Sequence, residues 1–185
     1  MAIPLLGSDG KVITSGESGA SRRLDVSARS DSRTFYTSRD AGQVYAWAGL
    51  YNSSDGETVL LVKNTSTTLT LVIVHMEVVS DAITRVRVHL PTSEITPAGG
   101  AVITGINLNT ASTNAAPALG RQNENTNSVG DVIEDTLIAA NEPHEVEYSN
   151  GLRITQNKSI AIDVATGATA LGGATIIGYF EVPGT

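Results

Sequence analysis

From Gln43 onward the chain is written as short apolar runs separated by turn residues. Runs rich in Val, Ile, Leu, Thr and Tyr alternate with clusters of Gly, Asn, Asp, Ser and Pro. Such spacing is too short for helices and suits strands joined by turns. Val44 to Tyr51 alternates: Val44, Ala46, Ala48 and Leu50 fall on one face, Tyr45, Trp47 and Tyr51 on the other. Asn52 to Gly56 reads as a turn, Thr58 to Val62 as a strand, and Asn64 to Thr67 as a second turn. Leu69 to Val79 reads as a long strand. It is apolar on both faces at Leu71, Val72, Ile73 and Val74, which calls for cover by a second sheet or another subunit.

Two hairpins are expected. With Ser80-Asp81-Ala82 as a loop, Val79 faces Ile83, Met76 faces Val86, Val74 faces Val88 and Val72 faces Leu90. Glu77 then meets Arg85, an opposite-charge pair worth about 0.2–1 kcal/mol, and His75 meets Arg87 on the same face. A slip by one residue sets apolar against charged; a slip by two keeps the faces and pairs His75 with His89. In the second hairpin Ser149-Asn150-Gly151 is the loop. Tyr148 then faces Leu152, Glu147 faces Arg153, and Gly151 takes the positive φ. Further strands are expected at Ala101 to Leu108, Ser159 to Val164 and Thr175 to Val182. Asp131 to Ala140 admits two readings: a helix with a capping box from Asp131 and Glu134, or a strand over Thr136 to Ala140. The strand fits its β surroundings. The stretch Asn109 to Val129, rich in Asn, Ala and Thr, is too long for a plain connection. It is functional, packed against a neighbour, or mobile. The total, about eight to ten strands and no long helix, predicts an all-β chain: a jelly-roll-like antiparallel β-sandwich over residues 43–185, with an extended N-terminal arm over 1–42.

Charge supports that division. The chain has 12 Lys and Arg against 19 Asp and Glu, a net charge of -7. Half of the basic residues (Lys11, Arg22, Arg23, Arg29, Arg33 and Arg39) lie in the first 40, which net about +1, while the rest nets about -8. The alternative is that the first 40 residues form an ordinary loop-rich layer of the same domain. An acidic chain is poorly suited to nonspecific nucleic-acid binding. No apolar run approaches the roughly 18 residues of a membrane span. The start, MAIPLLGSDGK, has neither a basic n-region nor an apolar h-region. Synthesis and folding in a cytoplasm are therefore expected, and the Asn-x-Ser/Thr sites at Asn52, Asn64 and Asn157 carry no glycosylation meaning.

Chemistry is thinly supplied. The absence of cysteine removes thiol catalysis, zinc-thiolate and iron–sulfur sites, and disulfide scaffolds. The histidines are His75, His89 and His144. No serine sits in a Gly-x-Ser-x-Gly elbow, and Gly167, Gly172 and Gly173 do not open a helix after a strand. Asp131, Glu134, Asp135, Glu142, Glu145 and Glu147 form an acidic stretch, but no Asp-x-Asp-x-Asp-Gly calcium loop is present. No enzyme activity, cofactor or metal is expected. Two surfaces remain as candidates. Arg22, Arg23, Arg29, Arg33 and Arg39 form a basic arm suited to an acidic partner surface. Tyr45, Trp47 and Tyr51 form an aromatic face suited to stacking on a sugar ring.

The stretch VLLVKNTSTTLTLVIVHMEVV is followed by AVITGINLNTASTNAAPALG and by the ending TIIGYFEV. With the upstream DVSARSDSRTFYTSRDAGQVYAW, this succession resembles small β-sandwich virion proteins of tailed bacteriophages, including head decoration (cement) proteins. The resemblance spans most of the chain and rests on structural, not catalytic, motifs. It implies a virion location on the capsid surface, a homotrimer, and a major capsid protein as partner. The competing expectation is a receptor- or carbohydrate-binding module of a tail fibre or spike, using Tyr45, Trp47 or Tyr51.

Overall fold

In the computed structural model, residues 35, 38–53, 57–90, 100–127, 130–165 and 170–183 are described. They belong, Phe35 apart, to a compact unit spanning Thr37–Thr185. Its strands are β1 (Val44–Ser53), β2 (Glu57–Asn64), β3 (Thr70–Ser80), β4 (Thr84–Leu90), β5 (Ala101–Ile103), β6 (Ile106–Asn107), β7 (Ala118–Asn127), β8 (Asp131–Ile138), β9 (His144–Ile154), β10 (Ser159–Ala165) and β11 (Ala170–Glu181). One sheet has the order β6-β1-β11-β3-β9, the other β5-β7-β2-β10-β4-β8, and every recorded pairing is antiparallel. Without β5 to β7, the eight remaining strands divide as β1-β11-β3-β9 and β2-β10-β4-β8, the order of a jelly roll. The chain is thus the expected all-β sandwich.

The alternation explains why two sheets form. Leu60 and Val62 on β2, Leu71 and Ile73 on β3, Ile160 and Ile162 on β10, and Ile176 on β11 all lose their solvent exposure in one cluster between the sheets. Burying each such side chain is worth about 1.5–3 kcal/mol, which makes this layer the main source of stability.

The first expected hairpin is not formed. β3 pairs with β11 and β9, whereas β4 pairs with β10 and β8 in the opposite sheet. The short link from Ser80 to Thr84 crosses from one sheet to the other. The link is tied to its neighbours: Asp81 Oδ1 accepts from Leu171 N at 2.8 Å, and Ser80 O accepts from Asn141 N at 2.7 Å. Glu77 consequently stands opposite Thr175 and Glu145, not Arg85. Alternation fixes which face of a strand is apolar, but a hairpin and a crossing link present the same alternation.

The second hairpin is also replaced. β9 runs through Ser149-Asn150-Gly151 as one strand, with His75 opposite Glu147 and Ile73 opposite Leu152. Tyr148 to Gly151 therefore bulge opposite Val74 alone. Gly151 does take a positive φ of 67°, and a Cβ there would lie 2.2 Å from Val72 Cγ1. Glycine is required because the bulge rests on Val72. That contact also helps bury the outward face of β3 at Val72, with no second subunit needed.

Asp131–Ile138 is a strand over its whole length, so the capping-box helix is not formed. Ala101 to Leu108 breaks into β5 and β6, which join different sheets. Between them Gly105 passes so close to the indole that a Cβ would sit 2.7 Å from Trp47 Nε1. The Asn-rich stretch after Asn107 is packed against its own chain. Asn107, Asn109 and Asn114 donate side-chain hydrogen bonds to the carbonyls of Gly42 (3.0 Å), Asp40 (3.1 Å) and Ala41 (3.4 Å). Asp40, Ala41 and Gly42 are held to the sandwich in this way.

Candidate functional site

Of the basic-arm candidates, Arg22, Arg23, Arg29 and Arg33 lie outside the described residues. Arg39 is on the surface, with its guanidinium 3.7 Å from the Asp40 carboxylate.

Tyr45, Trp47 and Tyr51 share one face of β1, as expected, but that face is the inner one. They are 2%, 0% and 4% exposed. Tyr45 lies tilted against Trp47 at 6.1 Å and edge-on against Phe180 at 5.8 Å. Tyr45 Oη donates to Gly42 O, and Tyr51 Oη to Val79 O at 2.9 Å. These rings make no platform for a sugar. The opposite face, with Ala48 and Leu50, is the exposed one, and Leu50 is 77% exposed. Both faces of β1 are apolar, so hydrophobicity could not choose between them.

The charged ladder expected on one hairpin is distributed over both sheets. His75 Nδ1 lies 3.0 Å from Glu147 Oε1 on the outer side of the five-stranded sheet. Arg85 forms a two-pronged ion pair with Asp135 on the other sheet. The guanidinium holds the Asp135 carboxyl below its ordinary value. His89 Nε2 lies 3.2 Å from the buried Asp163 carboxylate. Of the acidic stretch, Asp131, Glu134 and Asp135 lie on β8, Glu145 and Glu147 on β9, and Glu142 on the link between them. Glu134 reaches across the gap between the sheets to His144 Nε2, 2.7 Å away. Among the described residues no group of three or more His, Asp or Glu side chains is arranged to hold a metal ion.

Burial raises the tyrosines. Tyr148 is pushed up to about 12 by burial and by the charge of Glu134. Tyr45, Tyr51 and Tyr179 are raised chiefly by burial. A phenol whose folded pKa exceeds its unfolded value of about 10 favours the folded state below that value, and this preference is lost as pH rises through the folded pKa. Stability is therefore expected to fall between about pH 10 and pH 12. Phenolate absorbance should appear together with loss of the β circular-dichroism signal. Full ionisation of these tyrosines near pH 10 with the native signal intact would contradict their burial.

Two further surface features stand out on the sandwich. The first is the edge formed by β8. At the opposite end of each sheet the edge strand is minimal, three residues in β5 and two in β6. β8 is eight residues long and carries Val132 (47% exposed), Ile133 (41%) and Leu137 (71%), with Ile83 (67%) nearby on the β3–β4 link. A long apolar edge strand is a ready template for pairing.

The second is a groove of about 730 Å³ over β1, β11 and the end of β3, continuing into one of about 400 Å³. Leu50, Val79, Gln122 and Gly173 line both. Gly173 stands opposite Leu50 on one side and Val79 on the other. In the next row Thr175 stands opposite Ala48 and Glu77, and Glu77 opposite Glu145. The sequence pattern gave no hint of this groove, because it depends on which strands become neighbours.

No family model, curated protein or solved structure matches this chain. No helix among the described residues is long and apolar enough to cross a membrane.

Proposed function

We propose that the chain is a structural protein of a tailed-bacteriophage virion: a head decoration protein that binds the major capsid protein and stabilises the shell as a homotrimer. The observation that carries the reading is the β8 edge. Its exposed Val132, Ile133 and Leu137, on a strand with no second strand neighbour among the described residues, suit pairing with another copy, and a closed ring of copies removes such an edge. The jelly-roll order adds support by analogy of fold alone, since that architecture recurs in viral shell proteins and in lectins. The resemblance of the sequence to decoration proteins points the same way. The tail-fibre alternative loses its residues, because Tyr45, Trp47 and Tyr51 lie in the core.

In this reading Arg22, Arg23, Arg29, Arg33 and Arg39 dock the arm on an acidic shell. Replacing all five with glutamine is expected to reduce occupancy on purified capsids at least tenfold at low salt, with the circular-dichroism spectrum unchanged. Electrostatic docking also predicts that wild-type occupancy falls as salt rises. Equal occupancy of wild type and variant at every salt concentration would remove the arm's role. Absence of the chain from imaged particles would remove the virion reading.

A further inference from the structure

The floor of the groove raises a question that the chain's own packing does not answer. Glycine in a strand interior weakens it and supplies no side chain to the face. At most of the described glycines the cause is visible: a Cβ would lie 2.0 Å from Val79 O at Gly172, 2.5 Å from Gln122 Oε1 at Gly49, and 2.6 Å from Val72 O at Gly178. At Gly173 a Cβ would meet nothing closer than 3.7 Å, and its φ is not in the left-handed region. The fold accepts a side chain there. What a side chain would occupy is the space between Leu50 Cδ2 and Val79 Cγ1, each 3.8 Å from that Cβ. A strand glycine of this kind fits a place where another backbone or a ligand approaches closely.

The chemistry beside it is one-sided. Glu77 lines the groove and stands directly opposite Glu145. Like charges facing each other across a strand pair are destabilising. Neither carboxylate has an ion-pair partner among the described residues. Glu147, one row further, is engaged with His75. A second copy is a poor occupant. Face to face it would set these acids against their own copies, and the exposed Arg85 and Arg153 already pair with Asp135 and Glu181. The unmet charge calls for a cation.

We propose that the groove docks an extended basic segment of a partner protein. An aliphatic side chain of the guest rests on Gly173 between Leu50 and Val79, and an arginine or lysine two residues along reaches Glu77 and Glu145. The spacing follows from strand geometry. Val79 and Glu77 are two residues apart on β3, about 6.6–6.8 Å, and an extended guest repeats its side chains at the same interval. The proposal stands independently of the virion reading.

The test pans a random twelve-residue peptide library on the full chain and measures the recovered peptides by fluorescence polarisation. Recovered peptides should carry a basic residue two positions from an aliphatic one. Their affinity should fall at least tenfold for Gly173→Val and at least threefold for Glu77→Gln or Glu145→Gln, and it should weaken with salt. Gly173→Val should melt at or above the wild-type temperature. The two glutamine variants decide the matter by themselves if the valine variant does not fold. Recovery of no peptide, recovery of acidic or uncharged ones only, or binding unchanged in all three variants would overturn the proposal.

Discussion

Trp47→Ala is expected to destabilise the sandwich by about 3–5 kcal/mol, the usual loss for a fully buried large aromatic. The indole has no exposed surface and lies against Tyr45. Its slot exists because Gly105 and Gly120 lack side chains: a Cβ at either would lie 2.7 or 2.8 Å from the ring. Neither glycine can move in to fill the hole, so collapse is limited and the cavity cost remains. Against a total stability of about 5–15 kcal/mol, the loss is a large fraction. Chemical denaturation followed by circular dichroism reads it, since Trp47 is the sole tryptophan and its fluorescence goes with it. In the wild type the same burial predicts poor quenching of Trp47 by a soluble quencher. A loss below 1 kcal/mol, or free quenching, would place the ring on the surface.

Asn64→Ala is expected to cost about 3 kcal/mol. This asparagine has no solvent exposure and ties three separate backbone positions. Its Nδ2 donates to Leu69 O at 2.9 Å and to Ile154 O at 3.0 Å, while Oδ1 accepts from Ser66 N at 2.9 Å. Ile154 belongs to β9 in the opposite sheet, so one side chain fixes both the β2–β3 turn and the end of the sandwich. Removing it strands buried polar partners at about 1–3 kcal/mol each, less whatever water recovers. Asn64→Asp keeps the acceptor but loses both donors and buries a charge, so it should fare no better. Denaturant midpoints measure both variants. A change below 1 kcal/mol in Asn64→Ala would mean the network is loose.

These two positions show how far the amino acids alone could lead. The sequence marked Asn64 to Thr67 as a turn, because asparagine and serine side chains bond nearby backbone. It could not show that Asn64 reaches across to Ile154, since that partner is 90 residues away. It placed Tyr45, Trp47 and Tyr51 on one strand face by their period of two. It could not say that this face points inward, because Ala46, Ala48 and Leu50 make the other face apolar too. Strand existence follows from local alternation, so β1, β2, β3 and β10 were legible nearly to their ends. Partner choice is a long-range matter. Ser80 to Thr84 fits a hairpin as well as the crossing between sheets it forms, and only packing of the whole core decides. The same limit hid the groove over Gly173, which arises from β11 lying between β1 and β3, and the Glu77–Glu145 opposition, which arises from β3 pairing with β9.

The central claim is that this chain assembles through its β8 edge, and its mass in solution tests that most directly. Light scattering during size-exclusion chromatography should give about three times the chain mass of 19.2 kDa for the wild type. Leu137→Lys, which charges the exposed edge without touching the core, should shift the population toward the single-chain mass while keeping the β spectrum. A wild type that stays at the single-chain mass across the accessible concentration range, or a Leu137→Lys variant that assembles as fully as the wild type, would contradict it.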